Sequence, residues 1–126
     1  MSWTQAEVRE LKEGRYVVID EEPSKILGMA TSKPGKHGAA KARVDAAGIF
    51  DGVKRSIVQP VSAKIYVPIV ERKSAQVISK AGKVVQLMDV KDFTMFELTV
   101  SDEDAARIET GKDITYIESM GKRKID

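Results

Sequence analysis

The residues between Thr31 and Arg43 bring together side chains that could contact phosphate or carry a covalent modification. The stretch reads TSKPGKHGAAKAR and holds four cationic side chains, two glycines and the only histidine of the chain. Lys36 stands between Gly35 and His37, and the stretch contains no acidic residue. Because glycine adds no side-chain bulk, an amine in this setting can enter a narrow pocket or approach a polyanion closely. The stretch therefore predicts an exposed, anion-facing loop.

The same residues offer little to an enzyme. A single histidine excludes any metal site that needs two imidazoles, and the absence of cysteine excludes thiolate nucleophiles and Cys-type metal sites. Residues 34–38 lack the GxxxxGK[ST] spacing of a nucleotide-binding loop, and no helix pattern follows them. An enzyme that uses His37 as a base stays open as one alternative, although no acid lies near His37 in the sequence. No bound cofactor or metal is expected.

The charge of the chain is concentrated around this stretch. Overall the chain carries a net charge of only +2, but residues 1–67 hold eleven Lys/Arg against eight Asp/Glu. Residues 23–44 contain five cations (Lys25, Lys33, Lys36, Lys41 and Arg43) and no acid. An acid-free segment of this length is typical of a surface that faces phosphates, although a solvated loop with chance charge would have the same composition.

The residues that flank the stretch predict β-strands. Residues 16–19 form a β-branched run, and residues 25–29 and 42–50 continue the extended pattern on either side of the loop. Asp51-Gly52 is a strong hairpin-turn dipeptide, and residues 53–59 form the next strand. Residues 65–67 predict a short strand before Pro68. A proline cannot donate to a strand ladder, so Val67-Pro68 is the predicted domain joint.

The second half predicts further strands and one helix. Residues 75–79, 83–89, 96–100 and 113–118 have strand patterns, and residues 120–126 form a last strand or a frayed tail. Ser101 can cap a helix over residues 102–110, with acids in its first turn and Gly111 just past its end. Most aromatic side chains lie in apolar strand runs, so we expect them in the cores rather than as base-stacking platforms.

These patterns predict a mostly β protein of two small barrels, residues 1–67 and residues 68–126. SH3-like and five-stranded Greek-key barrels both fit units of this size, because closure removes exposed edges. In the second unit the helix falls between the third and fourth strands, as in a typical OB-fold. The start of the chain has no signal-peptide pattern, and its apolar runs are too short to span a bilayer.

Residues 32–41 resemble the hypusine loop of the eukaryotic and archaeal translation initiation factor 5A family, whose pattern is S-K-x-G-K-H-G-x-A-K. Eight positions match: Ser32, Lys33, Gly35, Lys36, His37, Gly38, Ala40 and Lys41. Pro34 and Ala39 differ from the Thr and His that are usual in eukaryotic members, and this makes the chain look archaeal. The chain is too short for the three domains of the bacterial relative, elongation factor P. The resemblance covers the full length and implies an SH3-like barrel that carries the loop, followed by an OB-fold.

The resemblance also implies a function. In such factors the lysine that matches Lys36 receives an aminobutyl group from spermidine, transferred by the NAD-dependent deoxyhypusine synthase. The modified side chain contacts the acceptor end of peptidyl-tRNA on the ribosome and promotes slow peptide bonds, notably at proline runs. The implied contact residues for tRNA and rRNA are Lys33, Gly35, His37, Gly38, Lys41 and Arg43. The factor is then a cytoplasmic non-enzyme without membrane or DNA partners. A generic RNA-binding protein with an unmodified Lys36 is the main alternative.

Overall fold

Strands dominate the computed structural model, which describes residues 3–32 and 40–126. The strand Lys41–Gly48 shows the reason, since Ala42, Val44 and Ala46 alternate with more exposed residues and are each at most 1% exposed. A period of two places one row of side chains in a core and the other towards solvent. The predicted mostly β fold is confirmed.

The described residues of the first unit form six strands and a short 3-10 helix. The strands are β1 (Trp3–Glu7), β2 (Tyr16–Ile19), β3 (Glu22–Ser32), β4 (Lys41–Gly48), β5 (Lys54–Pro60) and β6 (Lys64–Pro68), and the 3-10 helix covers Val8–Glu10. Strands β2, β3, β4 and β5 form one antiparallel sheet in chain order, while β1 pairs with β6. The four-stranded sheet curls into half of an SH3-like barrel. Neither β1 nor the 3-10 helix was predicted from the sequence.

The inner face of this sheet forms the core of the first unit. Val8, Val17, Ile26 and Val44 are at most 1% exposed, and Ile57 and Ile65 pack against them. Val8 comes from the 3-10 helix, whose N–H groups bond to the chain between β5 and β6. A single core therefore fixes the curvature of β3 and β4, the two strands on either side of residues 33–40, which we call the acid-free loop.

The turn between β4 and β5 confirms the predicted Asp51-Gly52 hairpin. The carboxylate of Asp51 accepts the Val53 N–H at 3.0 Å and binds Arg55 at 2.8 Å. A Cβ atom at Gly48 would lie 1.9 Å from Asp51 Oδ1, so a larger residue there would displace the Asp51 carboxylate from these contacts. Gly52 has a φ of 67°, which favours glycine as well.

The second unit is a five-stranded barrel with one helix. Its strands are β7 (Glu71–Ala81), β8 (Val84–Asp89), β9 (Met95–Thr99), β10 (Asp113–Ser119) and β11 (Lys122–Ile125), in the sheet order β11-β10-β7-β8-β9. The helix α1 (Asp102–Arg107) lies between the third and fourth of these strands. This is the predicted OB-fold arrangement, and the sheet nearly closes into a barrel. Residues 122–125 form a strand rather than a frayed tail.

The helix is shorter than predicted. Ser101 caps it as expected, because its side chain accepts the Asp104 N–H at 3.1 Å. However, α1 ends at Arg107 rather than at Thr110, and Ile108 is extended with a φ of −84°. Ile108 is 1% exposed and belongs to the core. Burial of Ile108 therefore ends the helix. Gly111, with a φ of 88°, lies in the turn before β10 and does not cap the helix.

The chain divides between Ile69 and Val70, two residues beyond the predicted Val67-Pro68 joint. Pro68 lies within β6, where it pairs with Trp3. A strand end tolerates proline, since the ladder needs no N–H from that residue. The independent folding of the two units stays a prediction.

A buried carboxylate anchors the turn after β8. Asp89 is 3% exposed, and its Oδ2 accepts the Tyr116 hydroxyl at 2.5 Å. Asp89 Oδ1 accepts the N–H groups of Lys91 and Asp92 at 2.8 and 3.1 Å. The Tyr116 hydroxyl, followed by these backbone bonds, lowers the pKa of Asp89 from 3.8 to about 2.

This depressed pKa predicts a specific acid sensitivity of the second unit. The unfolded chain protonates Asp89 near its ordinary pKa, so the stabilisation by its charge is complete above about pH 4 and is lost as the pH falls towards about 2. We expect Asp89→Asn to lower the free energy of unfolding at neutral pH, and the difference from the parent to shrink over that range. Urea unfolding of both proteins at several pH values measures this difference in the free energy of unfolding. Asp113→Asn, at an exposed residue of β10, is the control and should show no such convergence. A difference that is constant down to pH 2 would contradict the assignment.

Candidate nucleic-acid interface on the first unit

The candidate site lies where β3 and β4 approach the acid-free loop. The last pair of the β3–β4 ladder joins Ser32 to Lys41, so the residues between them connect two paired antiparallel strands. Ala40 is described, and its carbonyl accepts the Val61 N–H at 3.0 Å. Five of the predicted site residues lie outside the described residues: Lys33, Gly35, Lys36, His37 and Gly38. The site is therefore built here from its flanking strands.

The structure brings Lys41 and Arg43 together on the outer face of β4. Their side chains point away from the core because Ala42, between them, points into it. Lys41 pairs across the sheet with Ser32 and Pro60, and Arg43 with Ala30 and Val58. All four partners are uncharged and exposed. The two rows of the sheet nearest the loop thus carry two cations and no acid.

In the described part of the sheet, the third row of this face contains one carboxylate, Asp45, which is hydrogen-bonded and ion-paired locally. Asp45 accepts a hydrogen bond from the Ser56 hydroxyl and another from Arg43 Nε at 3.1 Å. The Ser56 hydroxyl, and secondly Arg43, lowers the pKa of Asp45, so its carboxyl stays charged. One oxygen of Asp45 accepts both bonds. The pairing holds the Arg43 stem in one position while its side chain remains 62% exposed.

The fourth row adds two more cations to the same face. Ala47 pairs with Lys25 on β3 and with Lys54 on β5, and residues directly opposite in an antiparallel sheet share a face. Both lysines are exposed. We define the outer basic face as Lys25, Lys41, Arg43 and Lys54. Lys54 was not among the predicted site residues, and only the strand register could have placed it there.

This arrangement of the described residues suits a phosphate backbone. Four cations stand against a single carboxylate, and the uncharged residues between them leave the amines accessible. Such contacts position a protein on nucleic acid without reading its bases. No group of three metal-ligating side chains occurs among residues 3–32 and 40–126. Within those same ranges, no helix is long and apolar enough to cross a membrane.

Comparisons with known proteins agree with the fold. Residues 2–63 match the family "Translation initiation factor 5A-like, N-terminal". Translation initiation factor 5A of Methanoregula boonei is 68% identical over 97% of this chain and 98% of its own length. The Methanoculleus marisnigri factor of the same name is 70% identical with the same coverage. A solved structure titled "Eukaryotic translation initiation factor 5A from Methanococcus jannaschii" superposes with a TM-score of 0.89 at 43% identity, and covers 99% of this chain and 93% of its own.

An SH3-like sheet followed by an OB-fold barrel places the chain among two-barrel β proteins, and its first unit carries the outer basic face. Within that class, identities of 68 and 70% over nearly the whole chain settle the family. The chain belongs to the translation initiation factor 5A family. Its relatives are translation factors rather than enzymes, and membership implies a role in translation and an interaction with the ribosome.

Proposed function

We propose that this chain is a ribosome-bound factor that positions peptidyl-tRNA through a modified Lys36, in the cytoplasm where ribosomes work. The modification is an aminobutyl group from spermidine, which gives deoxyhypusine or, after hydroxylation, hypusine. The modified side chain steadies the acceptor end of the tRNA and speeds slow peptide bonds, such as those at proline runs. The observation that carries the proposal is the match of residues 32–41 to the family's modification pattern, in a chain that belongs to that family.

In the proposed modification, an aminobutyl group moves from one nitrogen to another, and the overall reaction involves no net oxidation or reduction. The bond between the aminobutyl carbon of spermidine and its secondary nitrogen breaks, and a new carbon–nitrogen bond forms at Lys36 Nζ. Diaminopropane leaves with the displaced nitrogen and a proton. The NAD that deoxyhypusine synthase uses would supply hydride transfer without net oxidation. Gly35 and Gly38 leave room for Lys36 to enter the pocket of that enzyme.

In this proposal the outer basic face docks the factor on the ribosome by binding RNA phosphates. Lys41 and Arg43 lie on the strand that follows the acid-free loop, so phosphates bound there would position the first unit on the RNA backbone. Lys33 adds a cation on the other side of Lys36 in the sequence. The aminobutyl extension then gives reach and a second amine. The ribosome performs the chemistry, and the factor contributes by orienting the substrate.

Mass spectrometry of protein from its native host tests the modification directly. We expect the peptide that contains Lys36 to be heavier by one aminobutyl group, with or without one oxygen, and Lys33 and Lys41 in the same protein to be unmodified. Protein made in a bacterium without the synthase is the matched unmodified standard. Uniformly unmodified Lys36 in cells that make spermidine would reject the proposal. It would favour the generic RNA-binding alternative, in which the same basic face binds without a modified lysine.

A further inference from the structure

The last residue of the acid-free loop, Ala40, is hydrogen-bonded to the turn between β5 and β6. The ladder between β4 and β5 ends at the pair of Lys41 and Pro60. One residue further on, the Val61 N–H donates to the Ala40 carbonyl at 3.0 Å. Ala40 is also the first described residue after residues 33–39. The end of the loop is therefore tied to Val61 before β4 begins.

The turn that carries this N–H is fixed on its other side by the 3-10 helix. The Ala63 N–H donates to the Pro60 carbonyl at 3.0 Å, which closes a β-turn with Val61 in its second position. The Arg9 N–H donates to the Val61 carbonyl at 3.0 Å, and the Val8 N–H donates to the Ala63 carbonyl at 2.9 Å. The peptide groups on the two sides of Val61 thus link the 3-10 helix to the end of the loop.

The side chains of the turn also hold it in place. Val61 and Ala63 pack against the core of the first unit, which includes Val8 and Val44. Both of these valines are 0% exposed. Because protein interiors are close-packed, a turn that rests on such a core has little freedom to move. The position of the Val61 N–H is therefore set by the core, and not by the loop to which it donates.

The two ties beside residues 33–39 differ in how many bonds support them. Ser32 and Lys41 form the last pair of the long β3–β4 ladder, whereas Ala40 is bound to Val61 by a single hydrogen bond. Removal of one N–H therefore releases Ala40 and leaves the ladder intact. A segment whose ends are already restricted has less freedom to lose when it enters a binding pocket. Lys36 lies four residues before Ala40 in the sequence.

We propose that Val61 is a positioning residue for the modification of Lys36, an inference that rests on the proposed function. Its N–H restricts the chain at Ala40 before the synthase binds, so less ordering has to occur during binding. Val61 acts through Ala40 and takes no part in the aminobutyl transfer itself. Loss of the N–H therefore raises KM for the protein substrate and leaves kcat unchanged.

Val61→Pro removes the hydrogen-bond donor in a way that the turn tolerates. Proline is favoured in the second position of common β-turns, and the φ of Val61 is not positive. Proline also requires an extended residue before it, and Pro60 is the last residue of strand β5. Val61→Ala is the matched control, because it keeps the N–H and removes most of the side chain.

Steady-state kinetics of deoxyhypusine synthase from the native host, with spermidine and NAD, test the inference. The protein substrates are the full chain and its two variants, made without modification in a bacterium that lacks the synthase. We expect KM for Val61→Pro to rise about fivefold, as for the loss of one hydrogen bond, with kcat as in the parent. Val61→Ala should have the parental KM and kcat.

Thermal unfolding of the three proteins ensures that each is folded at the assay temperature. If Val61→Pro is not, the α-hydroxy acid analogue of valine at position 61 removes the same N–H and keeps the side chain. A parental KM in the folded protein that lacks the N–H would overturn the inference. An equal rise in KM for Val61→Ala, or a loss confined to kcat, would overturn it too. A parental chain that the synthase does not modify would instead reject the proposed function, and this inference with it.

Discussion

Lys36→Arg should yield a folded protein that does not support growth of its native host when it replaces the parent chain. Arginine keeps the positive charge but has no primary amine to accept an aminobutyl group. If the modified side chain is the working part of the factor, the loss should be as severe as deletion of the gene. The sequence predicts an exposed, glycine-flanked position, so the free energy of unfolding should change by no more than about 0.5 kcal/mol. Complementation and thermal unfolding of the same variant measure both effects.

Lys33→Arg is the matched control for this experiment. It makes the same chemical change three residues away, at a lysine for which we propose only phosphate contact. Arginine binds phosphate at least as well as lysine, so growth should be retained. Normal growth of the Lys36→Arg strain would contradict the modified-lysine mechanism. Equal loss in both strains would show that the loop needs lysine for a reason other than its modification.

Local sequence signals predicted the elements that local chemistry determines. Apolar and polar residues alternate in β9, and this period identified it as a strand with one half-buried face. Asp51-Gly52 predicted its turn because the Asp51 side chain bonds within the turn itself. Ser101 predicted the helix start because a cap acts on an N–H only three residues away.

Features that depend on distant partners were missed. Residues 3–7 have no strand pattern of their own, and they become β1 because residues 64–68 pair with them. The helix ends early because Ile108 packs into a core formed by buried residues of β7, β8, β10 and β11. Phe93 lies between the predicted strands 83–89 and 96–100, and it is exposed, whereas most aromatic side chains were expected in the cores. Its exposure follows from a turn that Asp89 and Tyr116 hold together across 27 residues of chain.

The candidate site also has one part that local sequence predicts and one part that depends on distant strands. The acid-free loop and its cations could be identified from the sequence, because charge and glycine content are local properties. The outer basic face could not, since Lys54 joins Lys25 only through the register of three strands. The hydrogen bond from the Ser56 hydroxyl to Asp45 also depends on that register. The sequence thus predicted a basic loop, whereas the structure extends it into a basic sheet face.

This extension leads to the second large effect that we expect. If the outer basic face docks on RNA phosphates, replacement of Lys25, Lys41, Arg43 and Lys54 by Gln should strongly weaken binding to ribosomes of the native type. Each lost phosphate contact should flatten the slope of log affinity against log salt by about 0.7 to 0.9, so four contacts should flatten it by roughly 3 units. Stability should change little, because all four side chains are exposed. Binding measured across a salt series gives both the affinity and the slope.

The matched control replaces four lysines that are exposed but lie outside this face: Lys12, Lys64, Lys112 and Lys124. It removes the same net charge, so any general attraction between a cationic protein and the ribosome falls equally in both variants. Only site-bound phosphates distinguish them, because counterions are released where a cation and a phosphate meet. We therefore expect the control variant to keep most of the parental slope. Equal slopes for the two variants would show that docking does not use the outer face of β3, β4 and β5. Lys36 would then have to reach its tRNA from a differently oriented first unit, even if it proved to be modified.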